Sequence, residues 1–235
     1  MTDVLLTSYF TGRPDPQTGL YIRKNSPDQM FYWVRSAARL HLAGVIFHDE
    51  IRTGRADITA LMDQAPTISL KRYDFRTPWS VNDERFLCWY EYLAARPKID
   101  RVILCDLFDV EFLRDPFACL TEPGCLYACR GLWPIGENNW LRRKMMATYG
   151  RLYHPDQMTA NAGVIGGHRD VILRLLAAMT DEFFRLNSSD NVNMQVFNKL
   201  VYDIIQPSGR VYLGRPLTGN LKAYEFEGDF CIRHK

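Results

Sequence analysis

The run Arg101-Val102-Ile103-Leu104-Cys105-Asp106 constrains this chain more than any other segment. Its consecutive apolar side chains leave no polar face, so a strand built from them must be covered on both sides. Sheets covered on both sides carry their helices as crossovers, which makes them mainly parallel. The rest of the N-terminal two thirds fits that picture. Asp3 to Tyr9 and Val45-Ile46-Phe47 read as buried strands, and Thr67 to Leu70 as another. Between them, Gln29 to Leu42 carries Met30, Trp33, Val34, Ala37, Ala38 and His41 at helical spacing, and Ile58 to Met62 reads as a short helix. Ser80 to Ala95 reads as a helix capped by Ser80 or Asn82, with Asp83 and Glu84 complementing the dipole in its first turn.

The last third alternates less regularly. Cys125 to Cys129 and Asn161 to Gly167 read as strands, and Asn138 to Tyr149 as a helix. Arg169 to Leu186 is an amphipathic helix, with Ile172, Leu175, Leu176, Met179, Phe183 and Leu186 on one side. A further helix is expected to start near Asp190, and short strands at Val211-Tyr212-Leu213 and Phe230-Cys231-Ile232. No repeat, linker or low-complexity stretch divides the 235 residues. The reading is therefore α/β: one domain over residues 1–235, with a Rossmann-type, mainly parallel central sheet flanked by helices.

Charge narrows the partners. Twenty-nine Lys and Arg face 27 Asp and Glu, a net +2, with no long run of either sign. A nucleic-acid partner is not expected without a basic excess. No run approaches the ~20 apolar residues of a transmembrane helix. Met1-Thr2-Asp3 lacks a basic leader and Val4-Leu5-Leu6 is short, so a cytoplasmic location is expected. The segment Trp140 to Met146 mixes basic and apolar residues. It reads as a helix with one apolar and one charged face, with peripheral membrane contact as the alternative. Six cysteines, at 88, 105, 119, 125, 129 and 231, lack zinc spacing and read as small buried thiols.

In parallel sheets ligands gather beyond the carboxyl ends of the strands. That rule nominates Thr7-Ser8-Tyr9, His48-Asp49 and Asp106 to Asp109. Asp106 ends the buried strand and Asp109 follows after a tight loop. Two carboxylates so close repel unless a cation or proton lies between them, and such oxygens suit Mn²⁺ or Mg²⁺. The alternative is a pair of loop aspartates that cap turns. Asp115 before Pro116 reads as a simple cap. The cluster Asn161 to Gly167 lacks the dinucleotide-binding order of glycines. It reads either as a close-approach surface or as a bulged strand. Asp190 to Asn198 places polar Asp190, Asn193, Gln195 and Asn198 at a helix start, with an ordinary N-cap at Asp190 as the alternative. His234, near the C-terminal end, is either a surface residue or a further metal ligand.

Together these segments resemble a GT-A-fold glycosyltransferase. The likeness rests on VLLTSYF, on NDERF…RVILCDLFDVEFLRDPF, on NAGVIGG, and on DNVNMQVFN followed by a terminal HK. They occur in the family's order over nearly the whole chain. The acidic motif here is Asp-Leu-Phe-Asp, one residue longer than the usual D-x-D. The resemblance implies transfer of a sugar from a nucleotide diphosphate sugar donor to a glycan or other hydroxyl acceptor. It implies Thr7, Ser8, Tyr9, Asp49 and Arg85 at the donor nucleotide, and Asn161 and Gly163 at the donor sugar. It further implies Asp106, Asp109 and His234 around Mn²⁺ or Mg²⁺, and Asp190 and Gln195 near the reacting carbon or the acceptor. An inverting enzyme would use Asp190 as base; the glycine-rich segment resembles retaining members somewhat more. Two other readings stand beside it. One is a nucleotidyltransferase, for which the loop Phe10-Thr11-Gly12-Arg13-Pro14 is poor in Gly and basic residues. The other is a catalytically inactive module of the same fold that binds a sugar nucleotide or a partner.

Overall fold

The computed structural model describes residues 2–220 and 228–234. The strands are β1 (Thr2–Tyr9), β2 (Gly44–His48), β3 (Ile68–Arg72), β4 (Ile99–Cys105), β5 (Val110–Phe112), β6 (Cys125–Pro134), β7 (Met158–His168), β8 (Arg210–Leu213) and β9 (Ile232–His234). The helices are α1 (Phe31–Arg39), α2 (Ala56–Asp63), α3 (Val81–Ala94), α4 (Asn139–Tyr149), α5 (Arg169–Leu186) and α6 (Asn193–Leu200). Seven strands form the central sheet in the order β3-β2-β1-β4-β7-β6-β8. The first four are parallel to one another, β7 runs antiparallel to both neighbours, and β8 pairs parallel with β6. The sheet is therefore mixed but mostly parallel, and β4 lies in its middle.

Period-two alternation divides the sheet between two cores. Val4, Leu6, Val45, Phe47, Val102 and Leu104 point to a layer that includes residues of α3, α4, α5 and α6. Leu5, Ile46, Ile103 and Cys105 point to a layer that includes α1, α2 and the small β5–β9 sheet. Val102 to Cys105 are completely buried, as the unbroken apolar run requires. At roughly 1.5–3 kcal/mol for each large apolar side chain, that strand anchors both cores.

Several helix ends follow their sequence signals. The Ser80 hydroxyl accepts from the Asp83 N–H (3.2 Å) and starts α3. Asn138 accepts from the Leu141 N–H (3.0 Å) and starts α4, which ends at Gly150 in the left-handed region. Asp115 accepts from the Phe117 N–H (2.9 Å) and starts a single 3₁₀ turn.

Other expectations need correction. The helix expected near Asp190 begins at Asn193, with Val192 at the N-cap position, and Asp190 is exposed in the preceding loop. Cys125 to Cys129 is the start of a longer strand that continues to Pro134. The C-terminal strand is Ile232–His234, later than expected, and its partner β5 carries no strand signal. Three residues are too few for a period to show. In α4, Leu141 and Met145 are buried, while Trp140 and Met146 stay exposed together with Arg142 and Arg143. Among the described residues no helix is long and apolar enough to cross a membrane.

Candidate metal and donor site

The chain crosses from β1 to β2 and β3 on one side, then returns to place β4 on the other side of β1. The crevice at such a reversal, beyond the carboxyl ends of β1 and β4, is where open α/β sheets bind ligands. A cleft of about 250 Å³ lies there. Its lining includes Ser8, Arg85, Asp106, Asp109, Asn161 and Gly163, six of the residues nominated from sequence. A larger hollow of about 560 Å³ lies at the opposite ends of the strands, near Thr2, Thr67 and Lys98, away from the acidic motif.

Asp106 leaves β4 with its backbone N–H donating to the Gly163 carbonyl of β7 (2.8 Å). Its side chain divides its oxygens. Oδ1 pairs with Nη1 of Arg85, which rises from the first turns of α3. Oδ2 lies 3.7 Å from His234 Nε2, and Asp109 Oδ2 lies 3.5 Å from the same nitrogen. One donor atom from each of Asp106, Asp109 and His234 falls within 4.8 Å of the others. His234 is carried there by β9, which pairs antiparallel with β5 directly after the acidic loop: Val110 faces His234 and Phe112 faces Ile232. The cross-strand pair Arg233–Glu111 (2.7 Å) reinforces this register.

Gly163 makes the convergence possible. A Cβ there would sit 2.4 Å from His234 Cε1 and 2.6 Å from Asp106 Oδ2. The β6–β7 register shifts between Ala128 opposite Ile165 and Cys129 opposite Asn161, so Ala162 to Val164 bulge out of that pairing. The Asn161 side-chain oxygen accepts from the Gly163 N–H (2.8 Å) across the bulge. The bulged-strand reading of this segment is the one seen, and the bulge leaves space at Gly163 for the Asp106 and His234 side chains.

The electrostatics are those of an ion-paired cluster. Burial by itself would raise the Asp106 carboxyl, but the Arg85 charge and the neighbouring His234 hold it down at about 2. Burial would lower His234, but the neighbouring Asp106 and Asp109 carboxylates and Cys129 leave it well above its usual value. Two carboxylate oxygens and one imidazole nitrogen form a donor set suited to Mn²⁺ or Mg²⁺, and the side-chain-free face of Gly163 leaves them room.

The remaining nominated residues lie elsewhere. Thr7 and Tyr9 alternate with Ser8, so they point to the α1 side while Ser8 and Phe10 line the cleft. Thr7 is fully buried with its hydroxyl unpaired. Tyr9 donates to the Arg23 carbonyl, accepts from the Ser26 N–H (3.1 Å), and meets the Phe108 ring edge-on at 5.9 Å. Asp49 lies beyond β2, outside the cleft lining. Its buried carboxylate accepts from the Thr11 N–H (3.0 Å) and from the Gly12 N–H, which ties down the loop after β1. Arg13 in that loop donates to the carbonyls of Thr77 and Trp79 (2.7 Å each), so the loop's cation is committed to the fold. Gln195 is buried; its Nε2 lies 3.4 Å from both Thr148 Oγ1 and the Asn191 carbonyl. Asp190 is exposed and its N–H donates to Ser188 Oγ (3.1 Å). Lys235 of the terminal HK lies outside the described residues.

Asn82, and Asp15 and Gln17 of the loop after β1, line the cleft without having been nominated, whereas Phe108, Asn193 and Met194 line it from within nominated segments. Asn193 lay inside a nominated segment, and only the helix phase told it apart from Gln195. Asp83 and Glu84 do more than complement a dipole. The Asp83 carboxylate accepts from the Val192 N–H (3.0 Å) and so fixes the entry to α6. Glu84 accepts from Tyr73 Oη (3.0 Å), the Arg76 N–H (2.9 Å) and Thr77 Oγ1, pinning the segment before α3.

No protein-family model matches this chain, and no curated protein matches it in sequence.

Proposed function

We propose that the chain is a metal-dependent glycosyltransferase of GT-A type, acting on a nucleotide diphosphate sugar donor and a hydroxyl acceptor. The observation that carries this reading is the meeting of Asp106, Asp109 and His234 within 4.8 Å, at the mouth of a cleft that also holds Arg85 and Asn161. The acidic loop of β4, the glycine bulge of β7 and the C-terminal strand come from distant parts of the chain. The GT-A resemblance assigns all three to one donor site.

In this reading Asp106 Oδ2, Asp109 and His234 hold Mn²⁺ or Mg²⁺. The cation, when bound, supplies Lewis-acid neutralisation of the diphosphate leaving group. Arg85 adds a fixed positive charge from the cleft wall, kept in place by Asp106 and by the rings of Phe86 and Trp89, each 5.3 Å away. Asn161 and Asn193 offer amides to the sugar hydroxyls, and Phe108 offers an apolar face at the entrance, 40% exposed. The carboxylates that line the cleft are Asp15, Asp106 and Asp109. Asp190, the base an inverting enzyme would use, lies on the exposed loop that leads into α6 and does not line the cleft. Retaining transfer needs no such base, and the amide-rich cleft favours it. The nucleotidyltransferase reading loses ground because Gly12 and Arg13 are already engaged with Asp49, Thr77 and Trp79.

The test is a thermal-shift panel of nucleoside diphosphates with and without Mn²⁺. A ligand at a hundred times its dissociation constant adds about 2.7 kcal/mol, roughly 5–10 °C for a chain of this size. A Mn²⁺-dependent shift with one nucleotide supports the donor site and names its base. Hydrolysis of the matching sugar nucleotide then supports the transferase. No shift with any nucleotide overturns the reading and leaves Asp106, Arg85 and His234 as an ion-paired cluster.

A further inference from the structure

The second cluster of reactive side chains lies outside the cleft, where the chain returns to deliver β9. Cys119 ends the 3₁₀ turn that begins at Pro116, and Cys231 immediately precedes β9. Both converge on one atom. The Pro216 carbonyl oxygen accepts from the Cys231 N–H (3.1 Å) and from the Cys119 thiol (3.7 Å). Each thiol is also the largest electrostatic influence on the other. They differ in access: Cys231 is 6% exposed, whereas Cys119 is half-buried.

From this geometry we propose that Cys119 and Cys231 are a peroxide-oxidisable pair, with Cys119 as the attacking thiol and Cys231 as the resolving one.

The remaining cysteines contrast with the pair. Cys88, Cys105, Cys125 and Cys129 are all buried. Cys105 is fully enclosed and accepts from the Trp33 indole N–H (3.1 Å). Burial pushes its thiol up to about 12, which removes the thiolate needed for attack. Cys119 moves the other way, because the neighbouring Cys231 thiol favours its thiolate.

The step balances with hydrogen peroxide as the named oxidant. The Cys119 thiolate attacks one peroxide oxygen, the O–O bond breaks, and hydroxide leaves with the electron pair. The resulting sulfenic acid is attacked by the Cys231 sulfur. The S–O bond breaks, water leaves with the Cys231 proton, and the S–S bond forms. The two thiol protons and the two peroxide oxygens end as two waters, and the two sulfurs lose two electrons in total. Because β9 starts at the residue after Cys231, the bond would tie the strand that bears His234 to the turn after β5. The disulfide is independent of the glycosyltransferase reading.

The test is intact-mass analysis of the full chain before and after hydrogen peroxide, with peptide mapping. The expected product is about 2 Da lighter, is restored by dithiothreitol, and yields one peptide pair that joins Cys119 to Cys231. It should melt several degrees higher than the reduced chain, because the bond closes a long loop. Cys119→Ser, at the more exposed position, should fold normally and show no mass loss. Cys231→Ser should stop at an oxygen adduct on Cys119, trapped by dimedone. If Cys231→Ser does not fold, the mapped wild-type peptide pair decides alone. Free alkylation of both thiols after peroxide, a bond mapped to another pair, or the same mass loss in Cys119→Ser would each overturn the proposal.

Discussion

The His234 imidazole occupies the volume that a side chain on Gly163 would need: Cε1 lies 2.4 Å, and Nε2 2.7 Å, from where that Cβ would be. The same virtual atom lies 2.6 Å from Asp106 Oδ2. One missing methyl group therefore lets a β4 carboxylate and a β9 imidazole approach across β7.

Gly163→Ala should separate them. Backbone and side chain must both shift, at a cost of about 1–3 kcal/mol, which the chain should survive. The Mn²⁺-dependent nucleotide shift should disappear, while circular dichroism retains the wild-type helix and strand signal. A wild-type Mn²⁺ response in this variant would count against the role given to the glycine.

Asp106→Asn and Asp109→Asn should differ in stability but not in metal response. Each should weaken Mn²⁺-dependent binding at least about tenfold, or ~1.4 kcal/mol. Asp109 is 41% exposed at its side chain and its replacement should leave the melting temperature nearly unchanged. Asp106 is paired with Arg85, whose side chain is only 10% exposed. Its neutralisation leaves a buried guanidinium short of a partner, at about 3–5 kcal/mol. Equal melting temperatures for the two variants would contradict the ion pair.

Removal of Arg233 to Lys235 deletes the imidazole and the Arg233–Glu111 pair, and spares Cys231. Stability should fall by about 2 kcal/mol, roughly 4–8 °C, while glycosyl transfer or donor hydrolysis falls to background. An unchanged rate would remove His234 from the site.

Asp83 gives a pH signature. Burial raises its carboxyl to about 6, against hydrogen bonds from Val192, Ser80 and Asn193 and the charge of Arg85. The folded chain therefore holds this proton more tightly than the unfolded chain, where the group titrates near 3.8. The contribution is fully present below about 3.8, declines as pH rises through about 6, and is absent above, a span of about 3 kcal/mol. Asp83→Asn cannot titrate and can still accept from the Val192 N–H. Stability measured by urea unfolding should show this decline between pH 4 and 7 in the wild type and lose it in the variant. Parallel profiles would exclude Asp83 as the titrating group.

The sheet was legible because its signals are local. Val102 to Cys105 have no polar face, and the i, i+3, i+4 pattern from Ile172 to Leu186 sets α5 to the residue. The cleft was half legible. Arg85, Asp106, Asp109, Asn161 and Gly163 line it as nominated, and His234 meets its carboxylates. Of Thr7, Ser8 and Tyr9 only Ser8 lines the cleft, because adjacent strand residues cannot share a face. Asn193 and Met194, rather than Gln195, line it because a helix turns ~100° per residue, and the start of α6 sets the phase. Asp49 stood on an equal footing with Asp106 as the end of a buried strand, but the reversal of strand order falls between β1 and β4.

The amino-acid sequence by itself determined the α/β class, the long helices, the acid-tipped central strand and the glycines that free its neighbour. Each of these follows from interactions within a few residues, which periodicity and capping record. Tertiary structure alone decided which strand ends meet, that β7 runs antiparallel, that β9 pairs with β5, and that His234 therefore reaches Asp106 and Asp109. Those outcomes come from burying two faces of one sheet at once. That condition couples residues more than a hundred positions apart and leaves no periodic trace along the chain.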